Sequence, residues 1–262
     1  MDDIVLCAHH GAIAEITLNR PDAGNSLSLA MIEQLSHTLS ELEADSHTKV
    51  IIISSKGKIF CAGHDLKELT AARSQPDRGQ AFFSQTMQQC AQLMQQIVNH
   101  KLPIIASVQG IATAAGCQLV ASCDLAVAGR AAQFATPGVH IGLFCSTPMV
   151  ALSRNIAPKH AMEMLLTGEM ISAEQAQIWG LVNHAVEDMA LADEAMAMAQ
   201  KIASKPASTV AIGKTAFYRQ AELSLQDAYD YAAQVMVHNM MERDAEEGIA
   251  AFIEKRDAKW HS

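Results

Sequence analysis

Two short segments place small residues where a backbone can do chemistry: Phe60-Cys61-Ala62-Gly63-His64-Asp65-Leu66 and Val108-Gln109-Gly110-Ile111-Ala112-Thr113-Ala114-Ala115-Gly116-Cys117. With no bulky side chain in the way, a ligand can reach main-chain N–H groups at a strand-to-helix turn, and such groups are fixed donors for an oxyanion. Taken singly, each segment is explained first by tight packing of strand on helix. There is no G-x-G-x-x-G, no Walker loop, no H-E-x-x-H and no G-x-S-x-G, so nucleotide, zinc and serine-hydrolase chemistry lose their cheapest support. The 11 histidines are scattered, His9-His10 reads as exposed, and no metal is expected.

The elements that must position these segments alternate along the first part of the chain. Residues 11–18 alternate like a half-buried strand. Met31, Leu35, Leu39 and Leu42 recur at helical spacing over 28–43, with Ser28 as the N-cap. The β-branched run 50–54 reads as a strand buried on both faces. A long Gln-rich helix over 76–100 and a strand at 103–108 follow. The run Ile111 to Gly116 opens a buried helix reaching Ala121, and 125–128 forms another strand. Such alternation predicts mainly parallel sheets covered by crossover helices. Beyond about Pro148 the β-branched runs stop, and helices are expected at 149–155, 160–167, 173–179, 191–204, 206–220 and 225–241. Met236, Met240 and Met241 read as core or subunit interface.

Composition bounds the rest. The chain has 262 residues, 50% hydrophobic, enough for a large core. Its net charge of -9 is the wrong sign for gripping nucleic acid, although one Lys or a helix N-terminus can still hold a small phosphate. Cys7, Cys61, Cys90, Cys117, Cys123 and Cys145 form no C-x-x-C pair and read as reduced thiols. The acidic start, Met1-Asp2-Asp3-Ile4, lacks the basic character of a leader, which predicts a cytoplasmic address. No apolar run approaches the roughly 18–20 residues that span a bilayer, and no membrane partner is expected.

In order along nearly the whole chain come Leu18-Asn19-Arg20-Pro21 with Asn25-Ser26-Leu27-Ser28, Phe60 to Lys67, Gly110 to Leu119, Phe134-Ala135-Thr136-Pro137, Leu166 to Ala173 with Gly180-Leu181-Val182, and Ala251 to Arg256. Together these motifs resemble the crotonase, or enoyl-CoA hydratase/isomerase, superfamily. The resemblance implies an α/β crotonase (ClpP-like) β-β-α spiral over residues 1–200 and a helical trimerisation region over 201–262, assembled as a homotrimer or hexamer. It implies an acyl-CoA thioester as partner, with coenzyme A entering as part of the substrate and no other cofactor. The backbone N–H groups of His64 and Ala115 would hold the thioester oxygen. Ala62, His64, Asp65, Leu66 and Lys67 would line the adenine and pantetheine path, and Lys255, from a neighbouring subunit, would meet CoA phosphates.

The departures from that family bear on the reaction. Its hydratases use two glutamates to activate water and move the proton, and the matching positions are Gln118 and Gly138. Neither is a general base, and losing one such group typically costs roughly 10²- to 10⁴-fold, so efficient hydration is not expected. The stretch 141–147 offers no substitute carboxylate. His140 is the nearest titratable side chain, more readily structural than catalytic, and Cys145 or Ser146 could accept an acyl group only with a base beside them. Ala-Gly-His-Asp also occurs in the family's methylmalonyl-CoA decarboxylases, whose chemistry needs an oxyanion hole and no abstracting base. Those enzymes add a tyrosine near position 145, which this chain lacks. Gly-His-Asp-Leu-Lys with both glutamates missing is similar to one poorly defined branch of the superfamily. A protein that binds acyl-CoA without turnover is the alternative of a different class. Asp65 at a helix start reads as a cap before it reads as a catalyst.

Overall fold

The computed structural model describes residues 3–261. A hairpin opens it: β1 (Val5–His10) and β2 (Ile13–Leu18) turn at Gly11, which takes a φ of +64°. α1 (Leu29–Ala44) follows, capped as expected by Ser28, whose Oγ accepts the Met31 N–H at 3.2 Å. Its buried stripe is Met31, Ile32, Leu35, Leu39 and Leu42.

Three turns of a spiral come next. The first is β3 (Val50–Ser55), β4 (Ile59–Cys61), α2 (Leu66–Ala72) and α3 (Gln80–Asn99). β5 (Ile104–Val108), β6 (Ile111–Thr113) and α4 (Ala115–Ser122) make the second; β7 (Leu125–Gly129), β8 (Gln133–Ala135) and α5 (Ser146–Asn155) make the third. The remainder is α6 (Pro158–Thr167), β9 (Ile171–Ser172), α7 (Ala173–Trp179), β10 (His184–Val186), α8 (Leu191–Ala203), α9 (Ala207–Gln220), α10 (Leu225–Met240) and α11 (Arg243–Glu254).

Each turn sends its first strand to a six-stranded sheet, ordered β1-β2-β3-β5-β7-β10, and its second to a four-stranded sheet, ordered β4-β6-β8-β9. Pairing from β2 through β10 is parallel, with Ile52 beside Ile105 and Ala106 beside Ala126. The continuous apolar run of β3 has a simple cause. Ile51 and Ile53 join the main core with Phe60, Phe134 and Leu119, while Val50 and Ile52 face a second layer closed by Leu191, Ala195 and Ala199 of α8. α8 thus belongs to the sheet it covers, and residue 200 falls inside it.

Several expectations are corrected. Residues 111–113 are a strand rather than the first turn of a helix, because they pair with both β4 and β8; α4 begins only at Ala115. The long helix starts at Gln80, after Gly79 turns the chain at a φ of +89°. β9 and β10 add strands to the stretch read as purely helical. Met236, Met240 and Met241 are exposed and belong to no core of this chain.

α9 and α10 bury no residue fully. A polar anchor ties α9 to the body: Lys214 Nζ donates to Asp124 Oδ2 at 2.7 Å, Ile97 O at 3.1 Å and Leu102 O at 3.0 Å, and Tyr218 Oη donates to Asp124 Oδ1 at 3.0 Å. Burial pulls the Lys214 pKa below the usual lysine range, with the Asp124 carboxylate pulling the other way. No helix among the described residues is long and apolar enough to cross a membrane, and no cluster of three or more His, Cys, Asp or Glu there could hold a metal.

Candidate active site

The first of the two glycine-containing segments is held by the loop that leaves β2. Asn25, fully buried with a φ of +49°, donates through Nδ2 to Lys56 O at 2.9 Å and Ile59 O at 2.7 Å, and its Oδ1 accepts the Arg20 N–H at 2.8 Å. A short polar side chain tolerates that backbone region better than others do. The loop then pairs with the segment itself, Ala62 N–H donating to Gly24 O at 2.9 Å and Leu27 N–H to Gly63 O at 2.8 Å.

Asp65 is the N-cap of α2, its Oδ1 accepting the Lys67 N–H at 3.0 Å and the Glu68 N–H at 3.4 Å. Its Oδ2 takes Arg20 Nη1 at 2.9 Å and Ser26 Oγ at 3.4 Å. Burial alone would raise this carboxyl, but the capped N–H groups and the Arg20 guanidinium outweigh it and hold the pKa low. With both oxygens engaged, Asp65 is a structural anion, as its place at a helix start implied. Glu68 adds a tie to α1 by accepting the Leu29 N–H at 3.2 Å.

The two segments meet at Gly63. It has a φ of +89°, and a Cβ built there would lie 2.9 Å from Ala114 Cβ, 3.1 Å from Thr113 O and 3.2 Å from Ala115 N. Thr113 Oγ1 donates across the junction to Ala62 O at 3.2 Å. Gly116 is needed for the same closeness, since a Cβ there would overlap the Cys61 carbonyl oxygen. Ala114 sits at φ +51°, ψ −119°, a region that costs a residue with a Cβ on the order of 1–3 kcal/mol. Its N–H bonds Ala135 O at 2.9 Å and its C=O takes the Gln118 N–H at 3.0 Å. The His64 and Ala115 main-chain N–H groups have no acceptor among the described residues, and Ala115 is the first residue of α4. Packing and donor display are therefore two results of one arrangement.

Both ring nitrogens of His64 are buried without a partner, and burial, opposed weakly by the Leu27 backbone, lowers its pKa and keeps the ring neutral at pH 7. Gln118, 4% exposed, leaves its Oε1 buried without a partner. Gly138 lies in a 3-10 turn, Pro137–Ile141, that folds against the start of α5. A Cβ at Gly138 would be 2.8 Å from Leu143 O and 2.9 Å from Cys145 Sγ. Burial raises the Cys145 thiol, with the Gly138 backbone pulling down, while Cys61, Cys90 and Cys117 are pushed up to about 12 by burial. None of these four is poised as a thiolate nucleophile at pH 7. Ser146 Oγ donates to Phe144 O at 3.3 Å. His140 is a strut, its Nε2 against Thr167 O at 2.8 Å, tying the 3-10 turn to the end of α6.

Ala62, Leu66 and Lys67 are exposed at the rim of the junction. Lys255 is elsewhere, at the left-handed C-cap of α11 with a φ of +56°, and no described contact joins it to residues 62–67 or 113–118. Arg20, Asn25, Ser26 and Thr113 lie in the motifs quoted from the sequence but were given no role there. Their types carried a signal: a side-chain amide and a guanidinium packed into a turn between a strand and a helix need acceptors, and the nearest unsatisfied groups belong to the next glycine loop.

A spiral of this topology with two N–H donors at a glycine-closed junction places the chain in a family: it belongs to the enoyl-CoA hydratase/isomerase family, whose sequence profile matches residues 8–262. Among its relatives is the protein named "Enoyl-CoA hydratase domain-containing protein 3, mitochondrial" from Rattus norvegicus, 51% identical over 249 residues, covering 95% of this chain and 81% of that protein. The Homo sapiens protein of the same name is 48% identical, covering 95% and 80%. The crystal structure of human enoyl coenzyme A hydratase domain-containing protein 3 superposes with a TM-score of 0.93 at 46% identity, covering 98% of this chain and 100% of that one. A Mycobacterium smegmatis structure described as an enoyl-CoA hydratase gives 0.95 at 47% identity, covering 100% of both. The cytoplasmic address read from the acidic start is overturned by the rat and human relatives, whose names are mitochondrial; four residues at one end are too little sequence to assign a compartment.

Proposed function

We propose that the protein binds an acyl-CoA thioester, holds its carbonyl oxygen between the main-chain N–H groups of His64 and Ala115, and stabilises enolate character at Cα without efficient hydration of enoyl-CoA. The observation that carries this reading is the closure at Gly63, which brings the two segments within van der Waals contact while leaving both N–H groups without an acceptor. The N-terminal end of α4 adds its partial positive charge at Ala115. Developing negative charge on the thioester oxygen is what such donors stabilise, and the CoA carried by the substrate is the only added group this chemistry calls for. Residues 62–67 form the rim along which the CoA portion would lie. Exposed Met240, Met241, Phe252 and Ile253 on the C-terminal helices and the turn after α10 support assembly as a homotrimer or hexamer, which would bring Lys255 of one subunit toward the CoA phosphates of another.

Decarboxylation is the second reading. Gln118, Gly138 and the stretch 141–147 provide no carboxylate that would repel an α-carboxylated acyl-CoA. Loss of CO₂ would leave its bonding pair in the enolate, held by the same two N–H groups, and Cα would then take a proton from solvent.

The test is a mass-spectrometric turnover screen of the purified protein with enoyl-, 3-hydroxyacyl-, malonyl- and methylmalonyl-CoA, beside calorimetric titration with acetyl-CoA. Binding with slow or no hydration supports the proposal, and CO₂ release from a malonyl thioester selects the second reading. Binding with no product from any substrate assigns a carrier role to the same site. Absence of binding to every thioester overturns the site.

A further inference from the structure

α9 buries no residue fully, so polar contacts carry a large share of its attachment. Those contacts converge on the turn after α3. His100, the C-cap of α3 and 1% exposed, uses both ring nitrogens: Nδ1 accepts the Leu102 N–H at 3.1 Å, and Nε2 lies 3.0 Å from Leu39 O on α1. A ring nitrogen that accepts an N–H carries no proton, so Nε2 holds the proton and donates it to Leu39 O. His100 is therefore neutral and fixed in one tautomer. Leu102 in turn offers its C=O to Lys214 Nζ at 3.0 Å, and the same ammonium reaches Asp124 Oδ2 at 2.7 Å. A single residue, Leu102, thus links the imidazole to the buried charge of α9.

We propose that His100 is a proton-sensitive release for α9: a second proton, taken from solvent at Nδ1, frees α9 from the body while the sheets stay folded. This device is independent of the acyl-thioester reading. A protonated imidazole donates at both nitrogens and accepts at neither. The Leu102 N–H then loses its partner, and the turn that carries Leu102 O must shift. The titratable groups around the ring are Glu43 on α1, the adjacent Lys101, Lys214 and Tyr218 on α9, and Cys123 with Asp124 in the loop after α4. Glu43 and Asp124 are the carboxylates among them, and Asp124 is already bonded to Lys214, Tyr218 Oη and the Ile104 N–H. A new charge beside the Lys214 ammonium is thus poorly offset in the closed state. Opening α9 carries Lys214 into water and hydrates the protonated ring, which relieves both costs. Burial, opposed by Leu39 O and Glu43 and helped by the Lys214 charge, lowers the pKa of His100 in the closed state. In the open state the ring titrates near its ordinary value of about 6.5. Opening is therefore independent of pH above that value and gains about tenfold per pH unit below it, until the closed state itself takes the proton.

The experiment is amide hydrogen exchange of the full-length protein from about pH 8 to about pH 5, corrected for the intrinsic pH dependence of exchange, with α9 read against β3, β5 and β7. The native protein is compared with His100→Asn, whose Oδ1 can accept the Leu102 N–H and does not titrate. In native protein the opening constant of α9 should stay level above about pH 6.5 and rise about tenfold between pH 6.5 and 5.5, while the strand amides remain protected. In His100→Asn that rise should shrink to within about twofold. Thermal unfolding checks that the variant folds; should it not, the native profile alone decides. A level profile for α9 in native protein overturns the proposal. A rise shared equally by β3, β5 and β7 also overturns it, because the opening is then global. A rise that persists in a folded His100→Asn overturns the assignment to His100.

Discussion

The two walls of the candidate site are built differently. The wall made by residues 20–28 and 62–68 is wired: Asn25, Asp65, Glu68 and Arg20 spend their polar atoms on main-chain groups or on one another. The wall made by Gln118, Gly138 and Cys145 is filled instead, with a thiol and a carbonyl oxygen crowding Gly138 and an amide oxygen left unpaired. A wired wall fixes the His64 N–H in space, which every reaction of an acyl thioester at this site would need. The filled wall holds Gln118 and Gly138, neither of which carries a carboxylate. Fixed geometry and an unpaired polar atom thus reside in separate parts of the candidate site.

The contrast is broken most directly at the junction. Gly63→Ala adds a Cβ at a φ of +89° against Ala114 and the Thr113 carbonyl. It should cost about 2–4 kcal/mol of stability and, on the proposed reading, remove most acyl-CoA affinity, as read by urea unfolding and calorimetry; a variant of native stability and affinity would show that the closure is not needed. Next comes restoration of a carboxylate pair. Gln118→Glu with Gly138→Glu should gain little crotonyl-CoA hydration, because the second side chain must start 2.9 Å from Cys145 Sγ and 2.8 Å from Leu143 O. Adding Cys145→Ala relieves the first contact, and the triple variant should hydrate faster than the double by about tenfold or more. Equal rates for the two would mean that the Cys145 thiol is not what blocks the second side chain.

Smaller effects sharpen the wired wall. Asp65→Ala removes a cap and the partner of Arg20, a loss of about 1–2 kcal/mol at neutral pH. The folded-state pKa of Asp65 lies below its unfolded value. Its stabilisation is therefore complete above the unfolded pKa of about 3.9 and fades as pH falls through the folded value, so wild type and variant should converge in unfolding midpoint at strongly acidic pH. His64 gives the smallest effect. Its folded pKa is lowered by burial, so the unfolded chain binds the extra proton first, and stability contributed by the neutral ring is lost as pH falls below about 6.5. His64→Asn should reduce that slope and leave the part contributed by His100, whose pKa burial also lowers; an unchanged slope would place its origin outside His64.

How much of this was written in the sequence differs between the walls and between long and short elements. Ser28 at the start of α1, the β-branched run of β3 and the short apolar strands β5 and β7 were legible, since capping chemistry and continuous burial leave local marks. β4, β6 and β8 span three residues each, too few to show a period, and their identity comes from pairing with one another across the spiral turns. α11 went unread despite its apolar stripe, because Arg243 to Glu247 is rich in charge. In the site, the ordered motifs named the junction and Asp65 was legible as a cap. The crowding at Gly138 was not, because a glycine that lacks a side chain and one that lacks room for one look alike until the neighbour seven residues away folds back.

The Lys214 anchor joins α9 to the body at the loop between α4 and β7, through Asp124, which also accepts the Ile104 N–H at 2.7 Å. A buried ion pair of this kind cannot come apart gradually, since neither charge can be left dry without the other. Amide hydrogen exchange should register this as a step: the amides of α9 should be released together through a shared opening, while those of β3, β5 and β7 wait for global unfolding. α9 would then behave as a latch on this catch, and the catch lies two residues beyond the end of the helix that begins at Ala115.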